Sequence, residues 1–391
     1  MIKFPAYTSP LQVALVYNVK EDHPGEQSLP EESTEPPSLS SSELNINTIP
    51  NRLLTTQHHS SDLFAEWDSF ETIDAIYAAL SEIHEVSLIE ADEQAYTKLL
   101  TERPDFVFNI SEGLYGVSRE AQIPAMLDML KIPYVGSDPL TLAICLDKSR
   151  AKEILAFHHI PTPKFWVVSE LSDLERFIPE MPCIVKPLHE GSSKGITNSS
   201  LVKNQSDLRR EISVILKRYE EPALIETYLD GREFTVAMLG NGDDVRILPI
   251  VEIKFEILPQ NVNPIYSYEA KWIWDRPEAP LDIFECPADI SQRLRDDIET
   301  VCRRAYRILR CRDWCRIDVR LDSQGIPNIL ELNPLPGIIP DPKANSCFPK
   351  AARAAGISYN ELIQTVLGIA MKRHGIAEQR QSNYQLVKEE S

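Results

Sequence analysis

The sequence predicts an α/β chain in three units, and three observations carry that prediction. Apolar runs alternate with segments of helical period between residues 11 and 135, the rhythm of a parallel sheet covered by helices. A second such series begins near Thr141, and a third, from Glu233 onward, holds an acidic hairpin. At 391 residues the chain can bury more than one core. We place the units at 1–140, 141–232 and 233–375, followed by a polar tail at 376–391.

Residues 11–17 (LQVALVY) read as a buried first strand. Residues 21–61 are rich in Pro, Ser and Glu without period, bury too little to order themselves, and read as a flexible insertion. The rhythm resumes with a helix over 69–83, a strand over 86–89, a helix over 93–101 and a strand over 105–109. A helix over 119–130 and a short strand over 132–135, ended by Gly136, complete the first unit. In the second unit we expect a helix over 148–158, a strand over 165–168, a helix over 171–178 and a strand over 183–186. A helix over 207–219 and a strand over 223–226 follow. The third unit opens with strands between 233 and 251 and a loop rich in Pro, Tyr and Trp at 259–280. Ile290, Leu294, Ile298, Val301, Ala305 and Ile308 then recur at three- and four-residue steps, one apolar stripe of a long helix. After the hairpin, a helix over 358–371 closes the unit.

The net charge of −19 argues against a nucleic-acid partner, since phosphate contacts need clustered Lys and Arg, but a single pocket with a few lysines still suits a nucleotide. No run approaches 18 apolar residues, so no membrane span is expected, and the opening MIKFPAYTSP lacks the apolar core of a signal peptide. The seven cysteines are scattered; Cys311 and Cys315 have no second pair to complete a zinc site. Reduced, buried thiols in a cytoplasmic protein are the expectation.

Chemistry concentrates in a few segments. In the hairpin, Arg316 and Asp318 share one strand face, and Glu331 and Asn333 can meet them from the partner strand. Two carboxylates and an amide form an oxygen-only set suited to Mg²⁺; a solvated sheet face has the same pattern. Lys186 ends a strand that runs into Glu190-Gly191-Ser192-Ser193-Lys194-Gly195, a small flexible loop suited to phosphate or to a plain turn. It matches neither the Walker A nor the Rossmann pattern. Lys148 stands at a helix start, unfavourable against the dipole unless an anion is near. Glu226 and Glu233 flank the crossing Tyr228-Leu229-Asp230-Gly231, and Lys271 lies in an aromatic loop that reads as a lid or a packed excursion.

In order and composition these segments resemble the ATP-grasp superfamily, most closely its D-alanine–D-alanine ligase family. PYVGSDPLTLAICLDK, VKPLHEGSSKGI, IETYLDGREFTVAMLG, YSYEAKW, CRIDVRLDSQG and ILELNPLPG carry the likeness, over roughly residues 105–370. The resemblance implies an ATP-grasp fold, in which an N-terminal parallel α/β domain precedes two α+β subdomains that clamp ATP. By the same resemblance Lys148 and Lys186 would hold the α- and β-phosphates, and the loop with Gly191, Ser192, Ser193 and Gly195 would cover the β- and γ-phosphates. Glu226 and the backbone at Tyr228 and Leu229 would read adenine, Glu233 the ribose hydroxyls, and Lys271 would reach the γ-phosphate. Asp318, Glu331 and Asn333 would bind two Mg²⁺ ions, with Mn²⁺ as an alternative. Arg316 and the Gly337 N–H would stabilise an oxyanion, and Ser192 matches a serine near the first substrate.

The departures from the family fall in the amino-acid pocket. No Gly-Gly-x-Ser-x-Glu run follows the first strand, where Asn18-Val19-Lys20-Glu21 stands instead. Glu112 occupies the place of a family histidine, Trp272 that of a lid tyrosine, and Pro342-Lys343 that of a serine which grips the second substrate. We expect Glu112, Arg119, Glu120, Trp272 and Lys343 to line an altered pocket, unless they are surface residues. The resulting expectation is an ATP-dependent carboxylate–amine ligase acting on amino acids or small carboxylates through an acyl phosphate, with a homodimer suggested by the family. The alternatives are a specialised ligase of the mycosporine-like type, joining an amino acid to a peptide or natural-product core, and a non-catalytic nucleotide-binding paralogue.

Overall fold

The computed structural model describes residues 10–20, 62, 64–274 and 281–376; the expected insertion at 21–61 and the tail beyond 376 lie outside them. Strand β1 (Gln12–Tyr17) is the centre of a parallel sheet, between β2 (Glu85–Glu90) and β3 (Phe106–Asn109). Its interior, Val13 to Val16, is wholly buried, as a strand covered on both faces requires. The covering helices are α1 (Phe70–Ser81), α2 (Ala95–Glu102) and α3 (Gln122–Leu130). Ser69 caps α1 by accepting from the Thr72 N–H.

Two expectations in this unit need correction. The strand expected over 132–135 contributes a single bridge, Tyr134 to Val107, because Pro133 has no N–H to continue a ladder. The helix expected from 119 opens as a 3₁₀ turn, Arg119–Ala121, before α3 begins. Helix α4 (Pro139–Leu146), with Asp138 at the N-cap and Pro at the first position, runs directly into α5 (Lys148–Phe157), capped by Asp147.

The second sheet is antiparallel, in the order β4-β7-β5-β6: β4 (Phe165–Val168), β5 (Cys183–Pro187), β6 (Leu201–Val202) and β7 (Ala223–Thr227). Helix α6 (Gln205–Arg218) covers it with Leu208, Ile212 and Ile215. The helix expected over 171–178 is only a 3₁₀ turn, Leu171–Glu175; Pro179 disfavours helical geometry at Ile178.

The third sheet runs β11-β10-β8-β12-β13, with β9 also on β8. Its strands are β8 (Glu233–Leu239), β9 (Arg246–Ile247), β10 (Val251–Ile253), β11 (Phe284–Glu285), β12 (Trp314–Leu321) and β13 (Pro327–Asn333). Helix α7 (Gln292–Ile308) packs Ile298, Val301 and Ala305 on one face; α8 (Cys347–Ala354) and α9 (Tyr359–Arg373) close the chain. Between the first and third sheets runs one continuous core, where Trp314 meets Phe108 and Phe348 edge-on at 5.7 and 5.9 Å. The fully buried Asp313 carboxylate latches the same junction, accepting from the Gly136 N–H at 2.8 Å and from Arg373 at 2.7 Å. The seven cysteines are unpaired. Among the described residues no helix is long and apolar enough to cross a membrane.

Candidate active site

A cavity of about 380 Å³ lies where the second and third sheets face each other, and the segment at 65–69 closes its N-terminal side. Lys186 and Glu226 reach it from β5 and β7, Arg316, Asp318 and Arg320 from β12, and Glu331 from β13.

On the β5–β7 side, Glu226 sits between two lysines, 2.7 Å from Lys152 and 2.8 Å from Lys186. Lys152 also donates to the Thr162 hydroxyl at 2.9 Å. Burial alone pushes the Glu226 carboxyl up, but the two ammonium groups outweigh it and hold its pKa below the usual range. Burial draws Lys186 down, yet Glu226 and Glu331 raise it, so it is a firm cation. Lys148, at the first position of α5, donates to the Glu190 carbonyl at 2.6 Å and lies 3.8 Å from Glu331. The anion inferred from its place against the helix dipole is therefore supplied in part by the protein itself.

The loop after β5 is strained and tightly held. Ser192 and Ser193 take positive φ of 50° and 60°, a conformation that non-glycine residues keep only when their surroundings impose it. Those surroundings are visible: the Ser193 hydroxyl donates to the Tyr266 carbonyl at 2.8 Å, and the Trp272 indole N–H donates to the Ser192 carbonyl at 3.0 Å. The Tyr268 N–H donates to the Ile196 carbonyl at 2.7 Å, so the aromatic loop lies on the Gly/Ser loop as a cover. Gly191 donates its N–H to Glu66 at 2.6 Å, and a Cβ there would stand 2.5 Å from the same carboxylate oxygen. Lys271, in the π-helical turn Glu269–Trp274, lines the cavity with its pKa drawn down to about 8 by burial and by Arg316.

On the hairpin side the register places Arg316 opposite Asn333 and Asp318 opposite Glu331. Arg316 donates to both Asp318 oxygens, at 3.1 and 3.0 Å, and Asn333 donates to Asp318 at 3.2 Å. Strict alternation through 329–333 does not hold. A bulge inserts Leu330, so Ile329 stays in the core while Leu330 and Glu331 both face the cavity. Burial raises Asp318, whereas Lys148, Lys186 and Arg316 overcome burial at Glu331 and hold it down at about 2. Among the described residues no cluster of three or more His, Cys, Asp or Glu could hold a metal ion. The hairpin set is instead two carboxylates and an amide, hard oxygen donors beside three cations, and that chemistry fits Mg²⁺ carried in with phosphates.

Farther along the cavity, Arg320 donates to Glu233 at 2.9 Å and to the Tyr228 hydroxyl at 2.8 Å, while burial raises the Glu233 carboxyl. Leu229 and Gly337 also line the wall.

The residues expected in the amino-acid pocket divide. Trp272 lines the cavity. Arg119 lies behind the wall, its guanidinium donating to Glu66 at 2.7 Å, to the His189 carbonyl at 3.0 Å and to Glu190 at 3.1 Å. It thus holds the Gly/Ser loop to the N-terminal unit. Glu112 and Glu120 flank that cluster, where burial and neighbouring carboxylates push Glu112 well up and Glu120 to about 7. Lys343 is exposed and off the wall, which Asn345, Ser346 and Cys347 supply instead. Five charged wall or support residues were not singled out from the sequence: Lys20, Glu66, Asp68, Lys152 and Arg320. Two of these had a signal, Lys152 one helical turn beyond Lys148 and Arg320 two residues beyond Asp318 on the same strand face.

Residues 165–368 match the family model described as the D-Ala D-Ala ligase C-terminus. Uncharacterized protein y4sG of Sinorhizobium fredii is 35% identical over 320 residues, covering 79% of this chain and 90% of that protein. The D-alanine–D-alanine ligase of Bordetella pertussis is 35% identical over 296 residues, 75% of this chain and 87% of that enzyme. Among solved structures, D-alanine–D-alanine ligase from Bacillus anthracis complexed with ATP superimposes with a TM-score of 0.63 at 19% identity, covering 95% of this chain and 99% of that one. That likeness identifies the fold as ATP-grasp.

Proposed function

Because this chain belongs to the D-alanine–D-alanine ligase family, we propose that it is an ATP-dependent ligase joining a carboxylate to an amine, with amino acids or small carboxylates as substrates. The observation that carries this reading is the meeting, in one cavity, of Lys186, Lys271, the Asp318–Glu331 pair, Arg316 and Gly337. Nucleotide binding alone calls for the lysines and the carboxylate pair, whereas an oxyanion donor serves only acyl transfer.

In this proposal Lys148, Lys186 and Lys271 meet the phosphates of ATP, and the loop at 190–195 closes over them beneath Tyr268 and Trp272. Glu226, Tyr228 and Leu229 border the base, and Glu233, held by Arg320, meets the ribose. Asp318, Glu331 and Asn333 would hold two Mg²⁺ ions, which when bound neutralise charge on the transferring phosphoryl group. The substrate carboxylate attacks the γ-phosphorus, ADP leaves, and an acyl phosphate forms. An amine then attacks the acyl carbon; Arg316 and the Gly337 N–H stabilise the oxyanion until phosphate departs. Covered by the aromatic loop, the acyl phosphate is kept from water. ADP release that depends on both a carboxylate and an amine substrate tests the reading; ATP hydrolysis indifferent to both opposes it.

A further inference from the structure

Lys20 is a cation in this cavity to which the reaction above gives no role. It follows β1, lines the N-terminal wall and donates to the Ala65 carbonyl at 3.3 Å. Its ammonium stands over the Trp272 ring, 4.5 Å from the centroid. Lysines around the site otherwise have carboxylates within ion-pair range: Lys148 has Glu331, Lys152 and Lys186 share Glu226, and Lys194 has Glu190. Among the described residues only Lys271 and Lys20 line the cavity without one. The proposal above gives Lys271 to the γ-phosphate. Asp68 is the charge that acts on Lys20 from nearby, but it lies beyond 4 Å, and burial pushes it up to about 7. It is thus a weak counter-charge near neutrality. A partly buried ammonium without a carboxylate partner is unfavourable, and an incoming anion relieves it. The phosphates already have three lysines and the loop N–H groups, and Lys20 reaches the cavity from the N-terminal unit, beside Ala65 and over the Trp272 ring that Lys271 also approaches.

We propose that Lys20 is a specificity-determining residue that binds a second carboxylate on the substrate at the N-terminal end of the cavity. The chain then prefers a dicarboxylate, such as an acidic amino acid, to its neutral counterpart. This rests on the ligase reading for turnover, though not for binding.

The test compares the full chain with its Lys20→Met and Lys20→Arg variants, using D- and L-glutamate against the matching glutamines. ADP release with Mg-ATP and an amine acceptor is one readout; calorimetric binding in the presence of a non-hydrolysable ATP analogue is the other. A charged hydrogen bond of this kind gives roughly 10- to 100-fold discrimination. We expect that preference for one glutamate enantiomer in the unaltered chain, its loss in Lys20→Met and its retention in Lys20→Arg, with ATP KM unchanged throughout. Equal binding of glutamate and glutamine, or a preference that survives Lys20→Met, overturns the proposal. A rise in ATP KM in Lys20→Met without change in glutamate binding also overturns it, by assigning Lys20 to the nucleotide. Absence of ADP release with every pair contradicts the ligase reading, while the binding arm still decides the role of Lys20.

Discussion

Arg316 spends two of its donors on Asp318, two residues along the same strand, and so points its guanidinium along the face that Glu331 and Asn333 complete. The carboxylate that fits a metal and the cation that fits an oxyanion are thereby fixed relative to each other. Replacing Arg316 with Ala removes a donor needed when charge develops on the acyl oxygen. The expected loss is about 10²–10³-fold in kcat, with Mg-ATP affinity changed by little. Parallel kcat and nucleotide-binding measurements check this; an equal collapse of both assigns Arg316 to nucleotide binding.

Glu226 is the carboxylate that both Lys152 and Lys186 contact, so Glu226→Gln leaves two buried ammonium groups without their nearest counter-charge. Breaking such an assembly costs about 3–5 kcal/mol. Urea unfolding should report that loss as a lower midpoint at unchanged slope. Glu226→Asp, which keeps the charge, should lose less.

Gly195 holds φ at +73°, and a Cβ there would stand 2.3 Å from Pro187 Cγ. Gly195→Ala should strain the Gly/Ser loop by roughly 1–3 kcal/mol and raise the KM for ATP. Because the loop is joined to the aromatic cover by the Trp272–Ser192 hydrogen bond, limited proteolysis should cut one or both loops faster in the variant.

His189 gives the fold a pH dependence whose sign is determined. Burial opposes its charge, but hydrogen bonds and charge from Asp147 and Glu221 outweigh burial and raise its pKa from 6.5 to about 9. Its ring lies 2.9 Å from Glu221 and 3.7 Å from Asp147, the cap of the helix that presents Lys148. A raised folded-state pKa contributes stability that is full below 6.5 and is lost as pH rises through about 9. Melting temperature followed from pH 6 to 10 should fall more steeply in the unaltered chain than in His189→Gln.

The legible parts of the fold were those with a strong local period. Segment 11–17 and the stripe from Ile290 to Ile308 came through as β1 and α7, because burial on both faces or on one stripe writes itself into the order of apolar residues. Helix α8, whose first turn holds Pro349 and follows a loop rich in Pro, was not anticipated. The hairpin pairing of Asp318 with Glu331 was readable from alternation, but the bulge at Leu330 was not, since one extra residue leaves no mark in composition. Glu66 and Asp68 escaped for another reason. They reach the cavity by following β1 in space, and the segment at 21–61 separates them from it in sequence. Lys20 sits directly beside β1, but only the wall built by residues 65–69 and Trp272 gives its charge a meaning.

The most direct test of the central claim follows oxygen. A donor substrate labelled with ¹⁸O in its carboxylate is incubated with Mg-ATP and an amine acceptor, and the phosphate and amide products are read by mass. Activation as an acyl phosphate transfers one labelled oxygen to phosphate for each amide formed, with one ADP released. Amide formed without label in phosphate, or ADP released without amide, would contradict the account.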